Sequence, residues 1–291
     1  MSYLEPTEFV TKMVDQGESK VYMSTRDTLI RAFMAGAILA LAAAFAITVA
    51  TTTGSPLVGA ILFPVGFIML YLMKFDLLTG VFTLVPLALI DKRPGVTMQG
   101  LLRNWGLVFI GNFCGAITVA FMISFILTYG YNTDGGAIAA KVSTIGESRT
   151  LGYASHGADG WFTIFIRGML CNWMVSMGVV GAMVSSSATG KMAAMWMPIM
   201  LFFFMGFEHS IVNMFLFPFS MIMGGEFTFM QYIVWNELPT VLGNLVGGFV
   251  LVGLPLYFTH VRTNPERILK NKPAPALKSE GKTVGGKPAS V

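Results

Sequence analysis

Charged residues are scarce in this sequence. Asp, Glu, Lys and Arg make up 12% of its 291 residues, about half the share of an ordinary soluble domain. A further 54% are hydrophobic, and the middle of the chain has too little charge to keep a core of that size dissolved. That excludes a soluble globular fold. Cysteine is rarer still: Cys114 and Cys171 each sit in an apolar stretch, so neither a disulfide framework nor a metal cluster is in view. The histidines are only His156, His209 and His260, too few and too scattered for the paired axial ligands of a haem-bearing membrane subunit. No cleavable signal is expected ahead of the first span, because residues 1–27 are polar, mixed in charge and lack a short apolar core before a small-residue cleavage site. Nothing in the pattern calls for a cofactor, a nucleic acid or enzyme chemistry.

What is abundant points to lipid. Glycine (32), phenylalanine (24) and methionine (21) are plentiful, as expected where helices pack closely in a bilayer. A hydrocarbon core of ~30 Å needs ~20 apolar residues per helix. Spans are expected near 28–53, 57–91, 104–130, 161–186, 192–223 and 231–260. The second and fifth are too long for one straight crossing, and each carries acidic residues in its interior. That is the pattern of a broken helix, whose unwound segment lies against protein or a polar cavity.

Basic residues set the orientation. Lys12, Lys20, Arg26 and Arg31 precede span one, Lys92, Arg93 and Arg103 follow span two, and Lys191 follows span four. The tail over 262–291 is rich in Lys, Pro, Gly and Ser and reads as disordered. The loop at 131–160, by contrast, balances Lys141 and Arg149 with Asp134, Glu147 and Asp159. Both termini are therefore expected in the cytoplasm, which requires an even number of spans. Residues 1–27 form a cytoplasmic segment in this reading, 28–261 the membrane domain and 262–291 a cytoplasmic tail.

Shifting the chain by 132 residues against itself brings Phe75-Asp76 onto Phe207-Glu208, Asn104 onto Asn236 and Gly111-Asn112 onto Gly243-Asn244. Gly115 falls on Gly247 and Gly36 on Gly168. Each half, about 28–130 and 161–261, holds three spans, an odd number, so the second enters the membrane in the opposite sense. The expected fold is all-α and integral to the membrane: six helices in two inverted three-helix repeats, with the second and fifth broken. Such folds place the permeation site where the two breaks meet.

An ionised side chain at the centre of a membrane helix costs about 2.5–3.5 kcal/mol on insertion scales. Asp76 and Glu208 are therefore expected to cap the half-helices that follow them. His209 has no such counterpart, since Leu77 occupies the matching position, and an imidazole on one side only favours a pore-facing role over a satisfied buried histidine. Asn112 and Asn244 read as interhelical ties beside their glycines and, with the two carboxylates, as loop-stabilising residues, and Asn172, in mid-span, as a residue that orients His209. His156, in the outer loop ahead of Trp161, is either a vestibule residue or simply exposed. Phe63, Phe67 and the run Phe202-Phe203-Phe204 are lipid- or core-facing, or form a hydrophobic constriction.

The run Gly206-Phe207-Glu208-His209-Ser210-Ile211-Val212-Asn213-Met214-Phe215 closely resembles the signature of the formate/nitrite transporter family. Asp76-Leu77-Leu78-Thr79 is similar to that family's first broken-helix loop. Asn104-Trp105 with Gly111-Asn112, and Leu242-Gly243-Asn244 with Gly247-Gly248, are similar to its later motifs. The resemblance spans about residues 5–265. It implies a homopentamer of aquaporin-like protomers, each with its own pore for formate, nitrite or, in some members, hydrosulfide, acetate or lactate. It implies further that His209 stands in the pore with Thr79 and Asn172, between apolar constrictions at Phe63, Phe67, Leu77, Val175 and Phe202. Two residues depart from the family pattern: Lys74, where small residues are usual, and Arg167, where the family is apolar. His156 falls where many members carry a vestibule lysine. Lys74 is expected to reach Asp76, Glu208 or the pore mouth. The expected function is a channel or transporter for a small weak-acid anion, formate first and nitrite second, with protons exchanged at His209, in the cell's inner membrane. A neutral-solute channel of the aquaporin kind is more distant, because neither break carries the Asn-Pro-Ala triplet.

Overall fold

Helix follows helix in the computed structural model, which describes residues 3–263. Pro6 at the first helical position, and a Glu8 carboxylate that accepts the Glu5 N–H at 3.0 Å, open α1 (Pro6–Tyr22). Its Phe9, Val10, Met13, Val14 and Gly17 are buried. Ser24 accepts the Asp27 N–H and starts α2 (Thr25–Thr53), which stops at Gly54 in the left-handed conformation, φ 68°. Pro56 starts α3 (Pro56–Leu72), interrupted once at Phe63 because the next residue, Pro64, has no N–H to donate. There follow α4 (Leu78–Ile90), α5 (Met98–Leu127), α6 (Gly136–Ser148), the single turn α7 (Leu151–Ala154) and α8 (Gly157–Val184). The chain continues as α9 (Ala188–Phe204), α10 (Ser210–Ile222) and α11 (Phe229–Arg262). The last widens into π-helical turns at Ile233–Glu237, Val246–Gly253 and Phe258–Arg262.

Four of these helices, α2, α5, α8 and α11, are long and apolar enough to cross a bilayer. The stretches read from sequence at 57–91 and 192–223 each consist of two shorter apolar helices, α3 with α4 and α9 with α10, parted by a non-helical segment. Of the tail read over 262–291, residues 264–291 lie outside the described residues.

Lipid supplies no hydrophobic drive between helices, so contact depends on close backbone approach. A Cβ on Gly115 of α5 would stand 2.0 Å from the Phe33 carbonyl oxygen of α2, and one on Gly247 of α11 would stand 2.1 Å from that of Met169 on α8. The two glycines lie at the 132-residue offset, and each meets a carbonyl oxygen of the preceding long helix. Gly115→Val is expected to lower stability by about 1–3 kcal/mol or more, since the obstacle is backbone and cannot swing away. Thermal unfolding in mild detergent reads this directly.

Two helices were hidden from the sequence pattern. The α1 helix lies against α4 beside the C-terminal end of α8, where the Leu4 N–H donates to the Val184 carbonyl at 2.8 Å. The α6 helix lies against α10 and is joined through α7 to the N-terminal end of α8, with Ser220 Oγ donating to the Ser143 carbonyl at 3.3 Å. Each has one glycine at its tightest approach: a Cβ on Gly17 would meet the Leu84 carbonyl at 2.2 Å, and one on Gly146 the Ser220 Oγ at 2.1 Å. Opposite ends of the bundle thus carry the same device.

Candidate functional site: two helix breaks around a buried histidine

Both α3 and α9 end in the same way. The Phe75 N–H donates to the Leu70 carbonyl at 2.9 Å and the Phe207 N–H to that of Phe202 at 3.0 Å. The residues just before them, Lys74 (φ 58°) and Gly206 (φ 64°), are left-handed, which closes the helix in a Schellman-type turn. Glycine accepts this conformation without strain, whereas lysine does not.

The breaks are then held from behind by asparagines. Asn112 on α5 accepts the Leu78 N–H at 2.9 Å and donates to the carbonyls of Ala32 (2.7 Å) and Asp76 (2.8 Å). Asn244 on α11 accepts the Ser210 N–H at 3.0 Å and donates to the carbonyls of Gly168 (2.8 Å) and Glu208 (2.9 Å). One fully buried amide thus satisfies the freed backbone on both sides of each break.

The carboxylates do not cap the following helices; each pairs with a cation from a neighbouring segment. Asp76 is bound by Lys20 of α1, and Glu208 lies 3.6 Å from Arg149, just after α6. A cross-tie repeats as well. Asn104 Nδ2 donates to the Lys20 carbonyl at 3.1 Å, and Asn236 Nδ2 to the Arg149 carbonyl at 3.0 Å. Glu208 also accepts from Asn213 Nδ2 at 2.9 Å. Lys20 and Arg149 were missed in the sequence because their offset is 129 residues, three short of the register of the membrane helices. An acidic residue at each break was the signal that two bases had to be found.

His209 is buried, at 1% exposure, and stands at the N-cap of α10. The Val212 N–H donates to its Nδ1 at 3.4 Å, so in this geometry the neutral ring carries its proton on Nε2, 3.4 Å from Thr79 Oγ1. Asn172 does not touch the ring. Its Nδ2 donates to the Thr79 carbonyl at 3.1 Å and to that of Asn244 at 2.7 Å, so it ties the two breaks together and positions the threonine. Phe202 stacks on His209 with centroids 5.5 Å apart, and Phe63 meets Phe202 edge-on at 5.7 Å. Val175 is fully buried on α8, one turn before Val179.

A cavity of about 800 Å³ opens on the α1 face and runs in as far as Phe67, Leu77 and Thr79. Lys74 lines it and is exposed. With Asp76 held by Lys20 and Glu208 by Arg149, its place is the cavity mouth. At the other break, Arg167 donates to the Gly206 carbonyl at 3.2 Å and lies over the Tyr153 ring at 5.8 Å, where a cation complements the C-terminal end of α9. His156 is exposed at the turn before α8 and makes no side-chain cap bond.

The formate/nitrite transporter family model matches residues 7–258. The chain belongs to that family. The family is one of transporters and channels, and the chain is a multi-pass membrane protein. It is 33% identical over 249 residues to the "Probable formate transporter" of Methanothermobacter thermautotrophicus, covering 80% of this chain and 89% of that one. It is 31% identical over 276 residues to the "Formate channel FocA" of Escherichia coli K12, covering 85% and 92%. A solved structure titled "Pentameric formate channel with formate bound" superposes with a TM-score of 0.67 at 25% identity, over 80% of this chain and 96% of that one. The fold is shared too with an "FNT family ion channel", TM-score 0.75 at 23% identity, over 87% and 98%.

Proposed function

We propose that this member of the family is a homopentameric channel for a small monovalent weak-acid anion, formate first, and that permeation is linked to protons at His209. Each protomer is read as six crossings in two inverted repeats, over about 28–130 and 161–261. The termini, with segments 1–27 and 262–291, lie in the cytoplasm and the α1 face is cytoplasmic, in the cell's inner membrane. The observation that carries the reading is the contact between Thr79 and His209 at the inner end of a cation-lined cavity. The cations of that cavity draw an anion in; Phe67 and Leu77, with Phe63, Phe202 and Val175 beyond, then strip its water. Thr79 presents a hydroxyl that accepts from Nε2–H and is left free to donate to the permeant, with Asn172 holding it there.

Uptake into proteoliposomes of a panel of anions, with glycerol as the neutral control, tests the reading. Formate entering faster than nitrite, acetate, lactate and glycerol supports it. Nitrite or hydrosulfide in the lead reassigns the permeant, and glycerol in the lead ends the anion reading.

Lys74 separates charge from backbone. Lys74→Gly relieves a left-handed lysine, so stability is expected to hold or rise by roughly 1 kcal/mol, while anion flux falls and depends less on the charge of the permeant. Flux unchanged alongside the gain in stability would reduce Lys74 to a turn residue.

A further inference from the structure

The cavity on the α1 face carries more positive charge than a monovalent permeant needs. Five cationic side chains line it, Lys12, Lys20, Arg31, Lys74 and Lys191, against the single carboxylate of Asp76, which Lys20 already binds. Lys12 comes from α1, Lys74 from the first break and Lys191 from the start of α9. All three line the same cavity; burial, and then the like charges of Lys12 and Lys74, lower the pKa of Lys191, which also donates to the Ala182 carbonyl at 3.0 Å. Among the described residues none of the three has a carboxylate within ion-pair distance. Of the three acids on α1, Asp15 and Glu18 are engaged with Arg93, and Glu8 accepts the Glu5 N–H. Gln16 on α1 adds an amide donor to the same wall.

Three ammonium groups brought together from three separate elements repel one another, and a monovalent anion can neutralise only one. An anion with several charges offsets more of that repulsion, and phosphate oxygens accept from ammonium donors in the charge-assisted geometry. The inner end of the cavity is apolar, at Phe67 and Leu77, where desolvation of a multiply charged ion is prohibitive. Such an ion can enter but cannot pass.

We propose that this cavity binds a phosphate-bearing polyanion through Lys12, Lys74 and Lys191, and that its occupancy closes the channel from the α1 face. The binding half of the proposal stands alone; the closing half rests on the channel reading above.

The probe is inorganic pyrophosphate, with the full-length protein in neutral phosphatidylcholine vesicles. Pyrophosphate is placed on both faces so that orientation does not matter, and sodium chloride of equal ionic strength is the control. Formate flux is expected to fall severalfold with pyrophosphate. In the Lys12→Gln/Lys191→Gln double variant the midpoint of that block should rise by about tenfold or more, each protein being measured against its own pyrophosphate-free rate. In detergent, pyrophosphate should raise the unfolding temperature of the wild type beyond the salt control, and that of the double variant less. Vesicles containing phosphatidylglycerol, without pyrophosphate, identify the source of the phosphate. A lower flux there, relieved in the double variant, assigns the site to a lipid headgroup. The proposal is overturned if pyrophosphate moves neither flux nor unfolding temperature beyond salt and phosphatidylglycerol has no lysine-dependent effect. Pyrophosphate that shifts unfolding but leaves formate flux intact overturns the closing half. A lysine-dependent unfolding shift in a protein that moves no formate at all supports the site and counts against the transport reading instead.

Discussion

Formate flux through the His209→Asn variant is expected to become nearly independent of pH between about 5 and 8, where the wild type changes steeply. An anion in a narrow apolar constriction faces a large desolvation cost that its neutral conjugate acid does not. Imidazole is the side chain here whose unperturbed titration falls in that range. An asparagine amide oxygen can still accept the Val212 N–H, the bond by which the ring caps α10, so fold and assembly should survive. The comparison that decides is formate flux with intravesicular pH recorded in parallel, wild type against variant. Identical pH profiles and identical proton movement would leave His209 as a helix cap and remove the proton-linked mechanism.

Asn244→Leu is expected to damage the structure severely, as is the matching change at Asn112. The amide holds three backbone groups, the Ser210 N–H and the carbonyls of Gly168 and Glu208. Leucine fills the volume and satisfies none of them. Each stranded buried group costs about 1–3 kcal/mol, so three together reach the scale of a typical domain's net stability, ~5–15 kcal/mol. Loss of the assembled species on size-exclusion chromatography, or a collapse of the unfolding midpoint, is the expected readout. Asn244→Asp should fall in between, because it keeps an acceptor for Ser210 while turning a second oxygen towards two carbonyls. A variant with leucine at this position that unfolds with the wild type would mean that the break is held by packing alone.

The long helices were legible because hydropathy and glycine spacing write them directly into the chain, and the breaks because acidic residues interrupt long apolar runs. Asn112 and Asn244 were legible as ties and as loop-stabilising residues, though the backbone groups they bind were not. What the sequence concealed was the partner of each buried carboxylate. Asp76 and Glu208 look self-sufficient as helix caps until Lys20 and Arg149 are placed beside them. Those bases come from amphipathic segments with no hydropathy signal, offset three residues from the main repeat. The route from Asn172 to His209 was concealed for a different reason: it runs through the backbone carbonyl of Thr79, and a carbonyl leaves no mark in a sequence. Arg167 read as an anomaly because its target, the Gly206 carbonyl, is equally invisible.

The pairing of α1 with α4 and of α6 with α10 bears on how the chain is made. At 13 residues each, α4 and α10 rise about 20 Å, short of a ~30 Å hydrocarbon core, so neither can be threaded across by itself. Each is preceded in the chain by the surface helix that will receive it: α1 leaves the ribosome well before α4, and α6 well before α10. The docking face of each half is therefore synthesised ahead of the segment that cannot insert unaided. In each case the receiving helix is already made when the short segment emerges, and α1 goes on to wall the cavity that Lys12 and Lys20 line.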